Sequence, residues 1–228
     1  MRSIALSLAL ICGLTASGSA AVAQSQSRPV VVELFTSQGC SSCPPADAVL
    51  RDLATRGDII ALGFHVDYWD RLGWKDPLSA PGATARQHQY AADFGRNEIY
   101  TPQMVVDGVR QVVGSNRQAV LEAIADARPA VIAPISFAPD RRSVSIDAGS
   151  GAGTVTLVRF VRARSNPIPR GENAGQIASD ANGVTALTPL GEWTGHSVDF
   201  TIEPPGPNEG VAIVVQAPSG QILGAAAL

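Results

Sequence analysis

The chain has 228 residues, 17 of them basic and 20 acidic, with a formal net charge of -3. That near balance excludes the basic surface that phosphate backbones require, so nucleic acid is not an expected partner. Of the three cysteines Cys12 lies in the N-terminal apolar run, and Cys40 and Cys43 alone are too few for a disulfide-rich scaffold, so if they pair, they pair locally.

The N-terminus reads as an address rather than as structure. Arg2 gives a positive start, Ile4 to Leu14 form an almost unbroken apolar run, and Ala21-Val22-Ala23 supplies small residues at both recognition positions. The pattern predicts a cleavable secretory signal over residues 1–23, cut after Ala23, and a periplasmic or secreted protein. At about 11 residues the apolar run is short of the ~20 that cross a bilayer, so no permanent membrane anchor is expected. Ile11 is too bulky to precede a lipoprotein cysteine, and Cys12 is removed with the signal. N-terminal sequencing of the exported protein is expected to begin near Gln24; a periplasmic protein still starting at Met1 would overturn the assignment.

Residues 28–128 alternate strand-like and helix-like segments. Pro29 to Phe35 is a β-branched apolar run that suits a buried parallel strand. The following helix carries Ala46, Val49, Leu50, Leu53 and Ala54 on one face, with Arg56 in its last turn and Gly57 as its stop. Ile59 to Val66 returns to strand, and a second helix is expected near Ala83 to Phe94, with Tyr90, Ala91 and Phe94 inward. Gln103 to Val106 and Val109 to Val113 form a hairpin about Asp107-Gly108. Ser115 with Gln118 makes a capping box for a last helix, whose buried stripe is Ala119, Val120, Ala123, Ile124 and Ala127. The order β-α-β-α-β-β-α is that of a thioredoxin-like α/β domain.

Residues 129–228 have a different texture, with short alternating strands broken by Gly and Pro. Val144 and Ile146 alternate with polar neighbours, as do Val198, Phe200 and Ile202, while Val211 to Val215 is continuously apolar. This pattern predicts a separate, all-β sandwich-like domain.

The chemistry is concentrated in Cys40-Ser41-Ser42-Cys43, which follows the first strand and opens the first helix. Thiolate is the nucleophile, and free amides at a helix N-terminus stabilise it. Cys40, nearer the loop, is expected to be the more exposed, attacking sulfur, and Cys43 the resolving one. Pro44 and Pro45 lack the N–H that a helix interior needs, which places the regular helix near Pro44 and leaves Cys40 in a looser turn. A structural disulfide is the plainer alternative. Zinc would need a second cysteine pair, which the chain lacks. Thr101-Pro102 stands before the third strand, where a cis bond would expose the Thr101 backbone to a substrate segment added as a strand.

Val32-Glu33-Leu34-Phe35-Thr36-Ser37-Gln38-Gly39-Cys40-Ser41-Ser42-Cys43-Pro44-Pro45-Ala46-Asp47 is similar to the opening of the secreted family called domain of unknown function 1223. Its other marks recur here: His65-Val66-Asp67-Tyr68-Trp69-Asp70, Leu72-Gly73-Trp74, Tyr100-Thr101-Pro102-Gln103 and Arg170-Gly171-Glu172-Asn173-Ala174-Gly175. The resemblance covers nearly the whole mature chain and implies a thioredoxin-like domain followed by a β-rich region. Gly39 stands where thioredoxins carry Trp.

His65 to Asp70 leave the second strand at the sheet edge that carries the cysteines, where ligand groups gather. His65 is a candidate to relay a proton for Cys43, Asp67 to orient His65, and Trp69 and Trp74 to wall the site; the same residues also suit a seal over the core. His88 falls on a polar helix face and His196 at the rim of its strand. Arg170 to Asn173 is a polar connection able to fold over the cysteines or to stay solvated. These readings lead to a periplasmic thiol-disulfide oxidoreductase acting on thiol- or disulfide-containing proteins, with no diffusible cofactor. The alternatives are a copper(I) chaperone holding the ion on Cys40, Cys43 and His65, and a binding module stapled by a structural disulfide.

Overall fold

The computed structural model describes residues 28–127 and 131–228; the expected signal at residues 1–23 lies outside the described residues. The fold is mixed α/β. Strands β1 (Val30–Thr36), β2 (Ile59–His65), β3 (Gln103–Val106), β4 (Arg110–Val113), β7 (Gly153–Pro167), β8 (Ile177–Trp193), β10 (Glu209–Gln216) and β11 (Ile222–Ala227) make one sheet. Its order is β11-β10-β7-β8-β2-β1-β3-β4. Helices α1 (Pro44–Leu53), α2 (Pro81–Asp93) and α3 (Arg117–Asp126) pack on it, and β5 (Ile135–Phe137), β6 (Ser143–Ile146) and β9 (Val198–Thr201) form a small antiparallel sheet. Among the described residues no helix is long and apolar enough to cross a membrane.

Every residue of β1 is buried, because both faces of this strand are covered. Period-two alternation divides it: Val30, Val32 and Leu34 meet α1 and α3, whereas Val31 and Phe35 meet Phe64 and α2. Each fully buried Val or Leu contributes about 1.5–3 kcal/mol, so the strand centres the core. Glu33 is the exception in the run. Its carboxylate is 2.6 Å from the Arg86 guanidinium of α2, which in turn lies over the Phe64 and Tyr90 rings.

Helix α1 opens on Pro44 and Pro45, which is tolerated because first-turn N–H groups have no intrahelical acceptor. It buries Ala46, Val49, Leu50 and Leu53 but ends at Leu53, short of the expected stop at Gly57. Arg56 instead closes on Asp58 with two hydrogen bonds of 3.0 and 2.7 Å. The cap of α3 also differs from expectation by one residue. Asn116, not Ser115, is the N-cap, and its Oδ1 accepts the Ala119 N–H at 3.1 Å. Asn and Ser cap about equally well, so the local pattern alone does not choose between them.

The larger correction concerns the second half. Residues 129–228 do not stand apart as a sandwich, because β7, β8, β10 and β11 continue the sheet of β1–β4. The junction is parallel pairing of β2 with β8 at Gly63 and Gly183. A Cβ on Gly183 would lie 2.7 Å from a Leu78 methyl, so any larger residue there would push the Leu78 side chain aside. Two-layer packing does exist locally: Val144, Ile146 and Phe200 of the small sheet cover Val155, Ile213 and Val215 of the large one. The reading as short strands was misled by Gly and Pro inside β8. The β7–β8 ladder keeps Gly183 in register opposite Val161, takes up Pro189 and Gly191 at a register shift, and runs on. Joining β2 also removes a free sheet edge that would otherwise invite foreign strands.

Candidate functional site

The first strand delivers the chain to Ser37-Gln38-Gly39, all three buried, and the chain then turns into Cys40. The Cys40 N–H donates to Ser37 O, and the Cys43 N–H to Cys40 O, at 3.1 and 3.2 Å. Cys43 is the N-cap of α1, as the two prolines led us to expect, so Cys40 lies in the turn before the helix. The two cysteines form a disulfide with a Cα–Cα separation of 5.4 Å. The expectation that Cys40 is the more exposed fails: both cysteines are 0% exposed.

Three groups enclose Cys40. The Thr101 hydroxyl donates to Cys40 Sγ at 3.3 Å and accepts from Trp69 Nε1 at 2.8 Å. Ser42 Oγ is 3.3 Å from the same sulfur. The Thr101-Pro102 peptide is cis, and Pro102 is buried. The third group is the tip of the β7–β8 hairpin, which folds over the turn. Asn173, 2% exposed, donates from Nδ2 to both Gln38 O and Cys40 O at 2.9 Å. Glu172 Oε2 accepts the Ser41 N–H at 3.1 Å, and the Ser41 side chain together with this N–H holds the carboxyl below its usual range. Trp74 supports this cover from the side. Its Nε1 donates to Gln38 Oε1 at 3.1 Å, and a Cβ on Gly171 would lie 3.2 Å from its own Cβ.

His65 is buried in a carboxylate cage. Its Nδ1 is 2.7 Å from Asp76 Oδ2 and its Nε2 is 4.0 Å from Asp180 Oδ1. Burial alone would push the imidazolium toward neutrality. The charge and hydrogen bond of Asp76, with the charges of Asp180 and Asp47, outweigh it and raise the pKa to about 9. Asp76 also accepts the Gln38 N–H at 2.8 Å and the Leu78 N–H at 2.9 Å. Gln38 Nε2 donates to Asp180 Oδ2 at 2.7 Å, tying the cage to the cysteine turn. Asp47 lies one helical turn beyond Cys43, and burial pushes its pKa up to about 6 despite a 2.7 Å bond from the Thr36 hydroxyl. Burial likewise raises Asp180. A cleft of about 130 Å³ lined by Gln38, Asp47, Asn173 and Asp180 opens beside these groups.

The expected site residues thus divide. Cys40, Cys43, Thr101 and Trp69 are joined by direct contacts, and Trp74 reaches the same turn through Gln38. Asp67 does not orient His65; its Oδ1 accepts from the Thr84 hydroxyl at 2.6 Å, and Asp76 takes the His65 position. His65 is accordingly held by carboxylates, and among the described residues no group of three His, Cys, Asp or Glu side chains is arranged to hold a metal. His88 and His196 are exposed. Sequence reading missed Gln38, Asp47, Asp76 and Asp180. The first two lie within or beside the cysteine motif, but Asp76 and Asp180 come from loops and strands far along the chain and carry no local signal.

A crystal structure of a protein from Agrobacterium tumefaciens is similar over 89% of this chain and 95% of that one, with 33% identity and a TM-score of 0.75. HBP35 of Porphyromonas gingivalis is similar over 89% of this chain and 75% of that one, with 14% identity and a TM-score of 0.55, a likeness of fold alone. No curated protein matches the chain. The family model described as a protein of unknown function, DUF1223, matches residues 31–216.

Proposed function

The chain belongs to the DUF1223 family, and from that premise we propose a thioredoxin-like thiol-disulfide oxidoreductase working in the periplasm or outside the cell. The single observation that carries this reading is the Cys40–Cys43 disulfide at the mouth of α1, with the Thr101 hydroxyl donating to Cys40 Sγ. The sheet order β2-β1-β3-β4, with β1 parallel to β2 and antiparallel to β3, supports the thioredoxin-like part of it.

In the reducing direction for the centre, a partner thiolate attacks Cys40 Sγ. The Cys40–Cys43 bond breaks and its electron pair leaves on Cys43 Sγ. A second partner thiolate then attacks the partner sulfur of the mixed disulfide, and Cys40 leaves as thiolate. The partner dithiol is oxidised to a disulfide, the centre gains two electrons, and the partner's two protons end on Cys40 and Cys43. The opposite direction runs the same steps backwards. Thr101 Oγ1 and Ser42 Oγ stabilise charge on Cys40 Sγ throughout, because a hydroxyl at hydrogen-bond distance favours the thiolate.

Equilibration of the purified protein with reduced and oxidised glutathione tests the reading. An exchanging centre is expected to titrate between about -120 and -270 mV at pH 7. A potential below roughly -300 mV, beyond the reach of glutathione, would overturn the reading and leave the disulfide as a staple.

A further inference from the structure

We propose that the tip of the β7–β8 hairpin caps the cysteine centre, with Glu172 and Asn173 as positioning residues that destabilise the dithiol form and hold the reduction potential down. The inference rests on the redox reading of the Cys40–Cys43 pair and assigns its control to the second half of the chain.

The two residues act by different physics. Asn173 is a tie. It is buried and spends both Nδ2 hydrogens on the carbonyls of Gln38 and Cys40, fixing the turn in the shape that accompanies the closed disulfide. Glu172 is a charge. Its carboxylate occupies the Ser41 N–H, the amide immediately after Cys40. In a dithiol centre the amides of that turn are the groups that stabilise a Cys40 thiolate. With Glu172 in place, one amide is already engaged and a negative charge stands beside the developing thiolate. Reduction of the disulfide creates that thiolate, so the carboxylate disfavours the reduced form and lowers the potential. The cover also explains why Cys40 is 0% exposed although it lies in a turn. A partner sulfur reaches Cys40 only when the tip withdraws.

The backbone is built to hold the tip in place. Gly171 and Gly175 take φ of +84° and +85°, which places the Glu172-Asn173 corner between two left-handed turns. Ala174 N–H donates to Gly171 O and Gly175 N–H to Ile168 O, at 3.1 and 2.8 Å, so the corner closes on itself and not on a flexible loop.

The test measures the equilibrium of wild type, Glu172→Gln, Asn173→Ala and a control, Glu122→Gln on exposed α3, against buffers of dithiothreitol and its cyclic disulfide. In this reaction the dithiothreitol dithiol is oxidised as Cys40–Cys43 is reduced to two thiols, and it reads even a very stable disulfide. Gln keeps an acceptor for the Ser41 N–H and removes only the charge. The equilibrium constant is expected to move about threefold toward the reduced form in Glu172→Gln at low ionic strength. The difference should shrink toward nothing in about 0.5 M salt, as for an exposed charge. Asn173→Ala is expected to move the equilibrium in the same direction and to be reduced severalfold faster, and Glu122→Gln to match wild type. An unchanged or more negative potential in Glu172→Gln overturns the charge role, and an unchanged or more negative potential in Asn173→Ala overturns the tie. A wild-type potential below roughly -300 mV sinks the redox reading separately, while the difference between wild type and variant is still measured.

Discussion

In a Cys43→Ser variant, disulfide-linked adducts between Cys40 and partner proteins are expected to accumulate, at about ten times the level seen with Cys40→Ser. The ratio follows from which sulfur is the better thiolate. An ordinary thiol with a pKa near 8.5 is only about 3% ionised at pH 7, and a tenfold stronger acid is about 24% ionised, roughly eight times as much. Cys40 Sγ has the Thr101 hydroxyl and Ser42 Oγ at 3.3 Å, whereas Cys43 is followed at once by Pro44 and Pro45, which have no N–H to offer its sulfur. Exposure does not separate the two, since both sulfurs are enclosed. Adduct formation therefore depends on withdrawal of the hairpin tip, and adding Asn173→Ala to Cys43→Ser should raise the yield further. The measurement is a non-reducing gel of each variant recovered from its native compartment. Equal trapping by the two single variants would overturn the assignment of roles, and no trapping by either would favour a staple.

What could be read in the sequence follows from how far apart the interacting residues are. The β1–α1–β2 passage was legible because its signals are local: a β-branched run, a cysteine pair, two prolines and an apolar stripe of period 3.6. The Asp107-Gly108 hairpin was legible for the same reason, and Asp107 does take φ of +49° there. The polar stretch at Arg170 to Asn173 was legible only as an irregular connection, able to cover the cysteines or to stay solvated, and the contacts of Glu172 and Asn173 decide between the two. The His65 cage was not legible. Asp67 is two residues from His65 and looks like its partner, yet strand β2 ends between them and sends Asp67 to Thr84. Asp76 arrives from the far end of the loop, and Asp180 comes from the β7–β8 hairpin, so only the three-dimensional pairing of β8 with β2 brings Asp180 to His65. That pairing also decided the architecture. A sequence pattern reports which residues face inward, but it does not report which sheet a strand joins.

Replacing Asp76 with Asn is expected to destabilise the oxidised protein by about 3–5 kcal/mol near pH 7, as breaking one side of a buried ion pair does. The exchange is nearly isosteric, so packing is spared and the loss is electrostatic. Asp76 uses Oδ1 for the Leu78 N–H and Oδ2 for both the Gln38 N–H and His65. An Asn amide must turn its NH₂ toward one of these donors, and the His65 cation keeps only the more distant Asp180 and Asp47. The pH dependence gives a second, independent readout. His65 titrates at about 9 in the fold against 6.5 for the free side chain, so the folded protein binds the proton more tightly than the unfolded chain. Its contribution is complete below pH 6.5 and is lost as pH rises toward 9, a decline of about 3 kcal/mol for such an interval. Asp47, raised from 3.8 to about 6, acts with the same sign at lower pH, its loss ending about one unit above that value, where most of the His65 decline is still to come. Asp76 itself is held below its usual value: burial pushes it upward, but the His65 charge and the hydrogen bonds prevail, and its contribution is lost only in acid. Urea denaturation of the disulfide-intact protein from pH 6 to 9 should therefore show wild type losing stability steadily, and Asp76→Asn starting lower with a flatter slope. A variant within about 1 kcal/mol of wild type and with the same slope would mean that the imidazolium is not held by Asp76.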